Sequence, residues 1–295
     1  KGFNISKDFV LKAFLYLYHK DVRSMITSFN NGFIVNIEEN WEKIRNSILS
    51  LFDLAKSYAL TDYTLTSYNA TLPILYYLYH RDIYEDFATK KCYETERESI
   101  RRWLFSILLR KTFGGHGDAI LTQARRAFTS DIEKELIKPL SNFPVKEINT
   151  EIKKLTDIGE DFIEELLLTQ KDSRYSFPIL AMLYPDMDYK NNNFHQDHLH
   201  PASTYDQLKQ EHKEKLGWTV YNSILNLQML DSNENMSKNA KPLDAWITEQ
   251  TKSKDKDRFI ESHLIPKVNY SLENFDNFIV ERKKILVEKL KNILN

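Results

Sequence analysis

Apolar residues recur every three or four positions through most of this chain, and little is present to interrupt the rhythm. In "EENWEKIRNSILSLFDLAKSYA", Trp41, Ile44, Ile48, Leu51, Phe52 and Ala55 fall on one face of a helix. "ERESIRRWLFSILLRKTF" and "DAILTQARRAF" repeat the pattern on either side of Gly114, Gly115 and Gly117. Further helices are expected over Lys7–His19, Leu72–His80, Val145–Leu155 and Asp161–Thr169, and the chain closes on an amphipathic helix. That last helix buries Phe275, Phe278, Ile279, Ile285, Leu286, Leu290 and Ile293. Only 7 glycines and 8 prolines occur, which suits long helices and few tight turns.

The 295 residues can bury one large core or two ordinary ones, and 42% hydrophobic with 13% aromatic residues is a globular composition. A single cysteine, Cys92, excludes an internal disulfide framework and fits a reducing, cytoplasmic setting. No apolar run reaches the roughly 20 residues of a membrane span. A net charge of −1 gives no overall attraction to nucleic acid, so any such binding must come from local patches. "LYHKDV" (Leu17–Val22) and "LYHRDI" (Leu78–Ile83) echo one another. Cationic residues suit helix C-termini, which accounts for the echo without a duplication.

Past Arg174 the texture changes. "YSFPILAMLYPDMDYKNNN" is a short apolar segment and an Asn-rich loop, and it leads into "FHQDHLHPAS", which has three histidines and an aspartate in six residues. "NSILNLQMLD" (Asn222–Asp231) reads as a second strand, followed by a helix through "SNENMSKNA" with Ser232 or Asn233 as its N-cap. On a strand, side chains alternate, so His198 and His200 face one way while His195 and Asp197 face the other. A tetrahedral zinc cage built from these four alone does not fit that alternation. An Asp-His pair at a strand end does suit metal-dependent phosphodiester hydrolysis. That chemistry needs a hard oxygen ligand for the ion and a neutral histidine to take a proton from water. Asn226 on the second strand, and Asn235 nine residues later on the helix, supply facing polar groups.

In this pattern the chain resembles the His-Asn-His (HNH) endonucleases, whose core is a ββα-metal unit. "DHLHPAS" is similar to their Asp-His-Ile/Leu-x-Pro strand, and "LNLQMLDSNENMSKN" to their second strand and helix. The resemblance implies that His198 is the general base, with Asn226 bracing the loop and orienting it. It further implies that Asp197 and Asn235 hold Mg²⁺ or Mn²⁺, and that Asn235 stands where many members carry a third histidine. Lys238, Lys241 and His200 are expected near DNA phosphates. "SYNATLPILYYLY" and "PILAMLYPDMD" extend the likeness to the C-terminal half of GmrSD-type restriction proteins, which act in phage defence. In those proteins a ParB-like NTPase domain precedes the nuclease. No such motif is present here and the chain opens on Lys1, so it reads as part of a longer protein whose partners are that domain, DNA and a second copy in a homodimer.

A basic cluster of Arg97, Arg101, Arg102, Arg110, Lys111, Arg125 and Arg126 offers a second DNA contact, with Arg101, Arg102, Arg125 and Arg126 as its candidates. Glu94, Glu96 and Glu98 lie close enough for ordinary pairing. Arg110 and His116 match the Arg-x₅-His spacing of the HEPN ribonucleases, yet the glycines between them suggest a turn. "ESHLIPK" (Glu261–Lys267) imitates "DHLHPAS" without an aspartate and reads as a helix end turning at Pro266. His212 is expected to be exposed. The expected architecture is a mainly α protein, with a helical domain over 1–175 and an α+β HNH unit with C-terminal helices over 176–295. Its competitors are a helical DNA-binding module with a degenerate nuclease unit and a metal-independent ribonuclease.

Overall fold

A computed structural model describes residues 2–19, 22, 31–131, 136–153, 155, 158–190 and 194–294. The chain is mainly helical and divides into two compact units, Lys1–Thr156 and Asp157–Asn295. The echo at Leu17–Val22 and the Asn-rich loop fall partly outside the described residues.

The first unit carries α1 (Lys7–Tyr18), α2 (Asn31–Glu39), α3 (Trp41–Ser57), α4 (Leu72–His80), α5 (Glu94–Leu109), α6 (Gly117–Arg126) and α7 (Val145–Glu151). A short antiparallel pair, β1 (Thr129–Asp131) and β2 (Leu136–Ile137), lies between the last two. Helix α4, "LPILYYLYH", is apolar almost all round. Such a segment is stable only inside, and α4 is accordingly packed by α1, α3 and α6. On α3 the expected stripe is buried from Ile44 to Ala55, but Trp41 is 44% exposed, with its ring edge-to-face against Phe14. The glycine-rich segment after α5 is the helix–helix turn that its composition suggests.

The second unit carries α8 (Glu160–Leu167), α9 (Ser176–Leu183), β3 (Phe194–His198), α10 (Gln210–Tyr221), β4 (Leu227–Asp231), α11 (Ser232–Lys238), α12 (Leu243–Gln250), α13 (Lys256–Ser262) and α14 (Phe275–Leu294). Helix α14 is the scaffold, packed by α8, α9 and α10. The unit begins earlier than the expected break at 175/176, because α8 buries its apolar face on α14. The segment after α8 is also sewn to a later turn by Lys171 N–H to Asn222 O (2.9 Å) and Ile224 N–H to Thr169 O (3.1 Å).

Strands β3 and β4 are antiparallel, with Asp197 opposite Gln228 and His198 opposite Leu227. The second strand is shorter than expected. Ile224–Asn226 forms a 3₁₀ turn, so Asn226 sits just before β4 and not within it. Asp231, not Ser232 or Asn233, caps α11, accepting from the N–H groups of Asn233 and Glu234 at 2.8 Å each. Helix α13 ends at Ser262 and turns ahead of Pro266, as the sequence suggests.

Candidate active site

His198 is the last residue of β3, and its side chain is held from outside the strand pair. Gln170 donates its amide nitrogen to two backbone carbonyls, Leu168 O at 2.9 Å and Thr219 O at 2.8 Å, which fixes which end of that amide is oxygen. Gln170 Oε1 therefore accepts from Asn222 Nδ2 (3.3 Å), and Asn222 turns its own oxygen to His198 Nε2 at 3.0 Å. It follows that Nε2 carries the proton and Nδ1 the lone pair. Burial lowers the pKa of His198 below the ordinary histidine value, outweighing the opposite pull of the Asn222 hydrogen bond. The result is a neutral imidazole of fixed tautomer, the form that a general base requires.

The bracing expected of Asn226 is real, but it acts on the loop backbone. Asn226 Oδ1 accepts from the N–H of His200 (3.0 Å), and Nδ2 donates to His200 O (3.1 Å) and Tyr221 O (2.9 Å). Its amide is fully buried and the loop after β3 depends on it. The orienting of His198, expected of Asn226, belongs to Asn222 and Gln170.

Asp197 points away from His198, as strand alternation requires, and meets two groups, one of which leads on to a third. Gln228 Nε2, directly across the ladder, donates to Asp197 Oδ2 at 3.2 Å. Gln228 Oε1 in turn lies 3.0 Å from His263 Nδ1. The Lys238 ammonium reaches Asp197 Oδ2 at 2.9 Å and His198 O at 2.6 Å. Lys238 is fully buried. The expected phosphate contact by Lys238 is therefore corrected: its charge lies inside, fastening α11 to β3. Burial lowers the pKa of this amine and Asp197 opposes that shift.

Asn235 lies one helical turn before Lys238 and so shares the face of α11 that is turned to β3. Among the described residues no group of three or more His, Cys, Asp or Glu side chains could hold a metal. A smaller donor set is present. Asp197 Oδ1 makes no hydrogen bond among the described residues, and the Asn235 amide stands on the facing helix. One carboxylate and one amide oxygen, both hard donors, fit an ion of the Mg²⁺ type that keeps most of its shell as water and phosphate oxygen.

The other expected contacts are mostly structural. His200 is buried, its ring edge-on to Phe275 (5.3 Å) and Phe278 (4.8 Å), which removes it from any phosphate. Lys241 pairs with Glu249 at 2.7 Å on the surface. His195 is bonded to Ser232 (3.3 Å). His212 is buried rather than exposed, with its Nε2 3.5 Å from Asp276. In the first unit Arg101 is buried against Glu98 (2.9 Å), and Arg125 is buried over the Tyr16 ring with its guanidinium on the His19 carbonyl. Both are corrected from DNA contacts to internal fasteners. Arg102 and Arg126 stay on the surface, near Glu98 and Glu151. Arg110 caps the end of α5 and His116 the start of α6, on opposite sides of the glycine turn.

Sequence reasoning missed Gln170, Asn222, Gln228 and His263. Gln228 was within reach, because pairing β3 with β4 in register sets it opposite Asp197. Comparison with known proteins found no family model and no curated sequence that matches this chain.

Proposed function

We propose that the second unit is a metal-dependent DNA endonuclease of the His-Asn-His type, acting in a restriction or phage-defence protein. The observation that carries this reading is the hydrogen-bond series Gln170–Asn222–His198, which presents a neutral imidazole with its Nδ1 lone pair free of that series. His198 and Asp197 are neighbours on β3 with side chains turned to opposite faces, and it is Asp197 that meets α11, through Lys238. His198 Nδ1 takes a proton from the attacking water, and Asn222 keeps the ring in place as the imidazolium forms. Asp197 and Asn235 would hold Mg²⁺ or Mn²⁺. When bound, the ion stabilises the charge that builds on the phosphate and leaving oxygen. The expected partners are DNA and a second copy of the chain. Among the described residues no helix is long and apolar enough to cross a membrane.

One observation favours a second reading, a DNA-binding unit with a silent nuclease site. The Lys238 ammonium already gives Asp197 a cation at 2.9 Å. Nicking of supercoiled plasmid in Mn²⁺, Mg²⁺ or EDTA separates the two. The nuclease reading expects metal-dependent nicking that disappears in His198→Ala. DNA binding that weakens steeply with salt, with no nicking under any condition, would establish the silent site instead.

A further inference from the structure

The wall beside His198 is aromatic and opens to solvent. Gly217 breaks α10 with φ 63° and ψ 178°, a conformation that side chains rarely tolerate, and Trp218 follows it directly. Trp218 is 44% exposed. Its indole lies nearly parallel to the Tyr221 ring, 21° apart with centroids at 6.0 Å, and takes the edge of Tyr205 at 5.0 Å. Tyr221 is itself fully buried and tied by its hydroxyl to Pro201 O (3.0 Å) and Thr204 (2.8 Å), so the platform is rigid. The His198 ring centroid is 6.5 Å from that of Trp218.

We propose that Trp218 stacks an unpaired nucleobase next to the phosphate that His198 addresses, so that the site takes single-stranded or locally melted nucleic acid ahead of intact duplex. The proposal rests on the nuclease reading of His198. Inside a duplex both faces of a base are covered by its neighbours, and an indole can reach one only after the base leaves the stack. A rigid indole beside the base that activates water is suited to a strand whose nucleotides are already unstacked. Lys171 is anchored close by, its backbone N–H bonded to the carbonyl of Asn222, the residue whose side chain holds His198.

The test is binding in EDTA of one labelled oligodeoxynucleotide, single-stranded or annealed to its complement, followed by cleavage of both in Mn²⁺. The single strand is expected to bind more tightly, to quench tryptophan fluorescence and to be cut faster. Trp218→Ala should weaken single-strand binding by about tenfold, the scale of one lost base stack. Trp218→Phe should keep most of the affinity and lose the quench. Equal affinity for the two forms would overturn the proposal, as would a folded Trp218→Ala chain with unchanged single-strand affinity. If Trp218→Ala does not fold, a wild-type chain whose fluorescence the single strand leaves unchanged overturns it equally. The two readings fail separately. Cleavage that depends on His198, with single-strand binding indifferent to Trp218, removes the stacking alone. Binding that depends on Trp218, with no cleavage by the wild type, removes the nuclease and leaves the stacking.

Discussion

In the first unit the described contacts of the two buried arginines are separate. Arg125 covers the Tyr16 ring and serves the carbonyls at the end of α1, and Arg101 meets Glu98 one turn away on its own helix. In the second unit the buried cations converge on a single strand pair. Lys238 holds Asp197 and the carbonyl of His198. Arg282, fully buried on α14, donates to Leu227 O at 2.7 Å where β4 begins. Around them Gln228, Asn226 and three histidines are buried as well. Burying charge is costly, and an apolar strand pair of the same size would be no less stable. A scaffold needs only the first arrangement; the second is suited to holding polar groups in fixed positions beside a reacting molecule.

The largest test of this contrast is acid. Burial lowers the pKa of His80 in the first unit to about 4, and in the second unit that of His263 to about 4 and of His200 to about 3. Each has a folded pKa below its unfolded one, so between those values the unfolded chain binds more protons and stability rises with pH. The contribution is complete above about 6.5 and is lost as pH falls toward the folded values. For His80 it amounts to about 3 kcal/mol, and the second unit stands to lose roughly twice that. Hydrogen exchange followed from neutral pH down toward 4 should show protection failing first in the second unit. Earlier failure in the first unit would break the comparison.

Removing one buried cation comes next. Lys238→Met leaves Asp197, with a side chain 17% exposed, without its ion pair, at an expected cost of about 3–5 kcal/mol. Arg125→Met removes hydrogen bonds to the carbonyls of His19 and Leu15 and the contact with the Tyr16 ring, and should cost about 1–3 kcal/mol. Denaturant titrations of the two variants decide this, and equal losses would mean that the convergence in the second unit has no special energetic weight. Asn226→Ala follows at about 2–3 kcal/mol, since it leaves the N–H and carbonyl of His200 unpartnered. Thermal melts of Asn226→Ala and Asn226→Asp would separate loss of the carbonyl acceptor from loss of the amide donor.

Most of the helices were legible in the sequence, because period and length suffice when glycine and proline are scarce. The strand–strand–helix order after Asn193 was legible as well, and so was the backbone-bracing part of the Asn226 role. Partners that arrive from distant chain were not. Asn222, at the end of α10, meets His198, and Gln170, just after α8, holds Asn222; both arrive through tertiary packing that leaves no local mark, and the packing of α8 on α14 is also what moved the unit boundary. Arg282 did leave a mark. It falls on the same stripe as Phe275, Phe278, Ile279 and Leu286, where a charged residue signals a buried cation with carbonyl partners. Lys238 was misread for the converse reason. A lysine near a helix end is usually solvated, and nothing in seven residues of α11 tells which face turns inward.

The smallest predicted effect isolates burial from charge. Arg101 and Arg102 are adjacent on α5 and both approach Glu98 Oε1, at 2.9 and 3.6 Å. Their side chains are 8% and 59% exposed. An exposed pair contributes about 0–1 kcal/mol, because water and salt screen it and the long side chain loses freedom in making it. Arg102→Ala should therefore leave the denaturation midpoint nearly unchanged. Arg101→Ala removes a packed aliphatic stem as well as the ion pair, and should lower the midpoint measurably. The same two variants bear on the expected DNA contact, since only Arg102 presents its charge to solvent. If Arg102→Ala weakens plasmid binding while the midpoint holds, the basic face of α5 contacts DNA. If binding holds as well, that face is solvated surface and the cations that matter lie in the second unit.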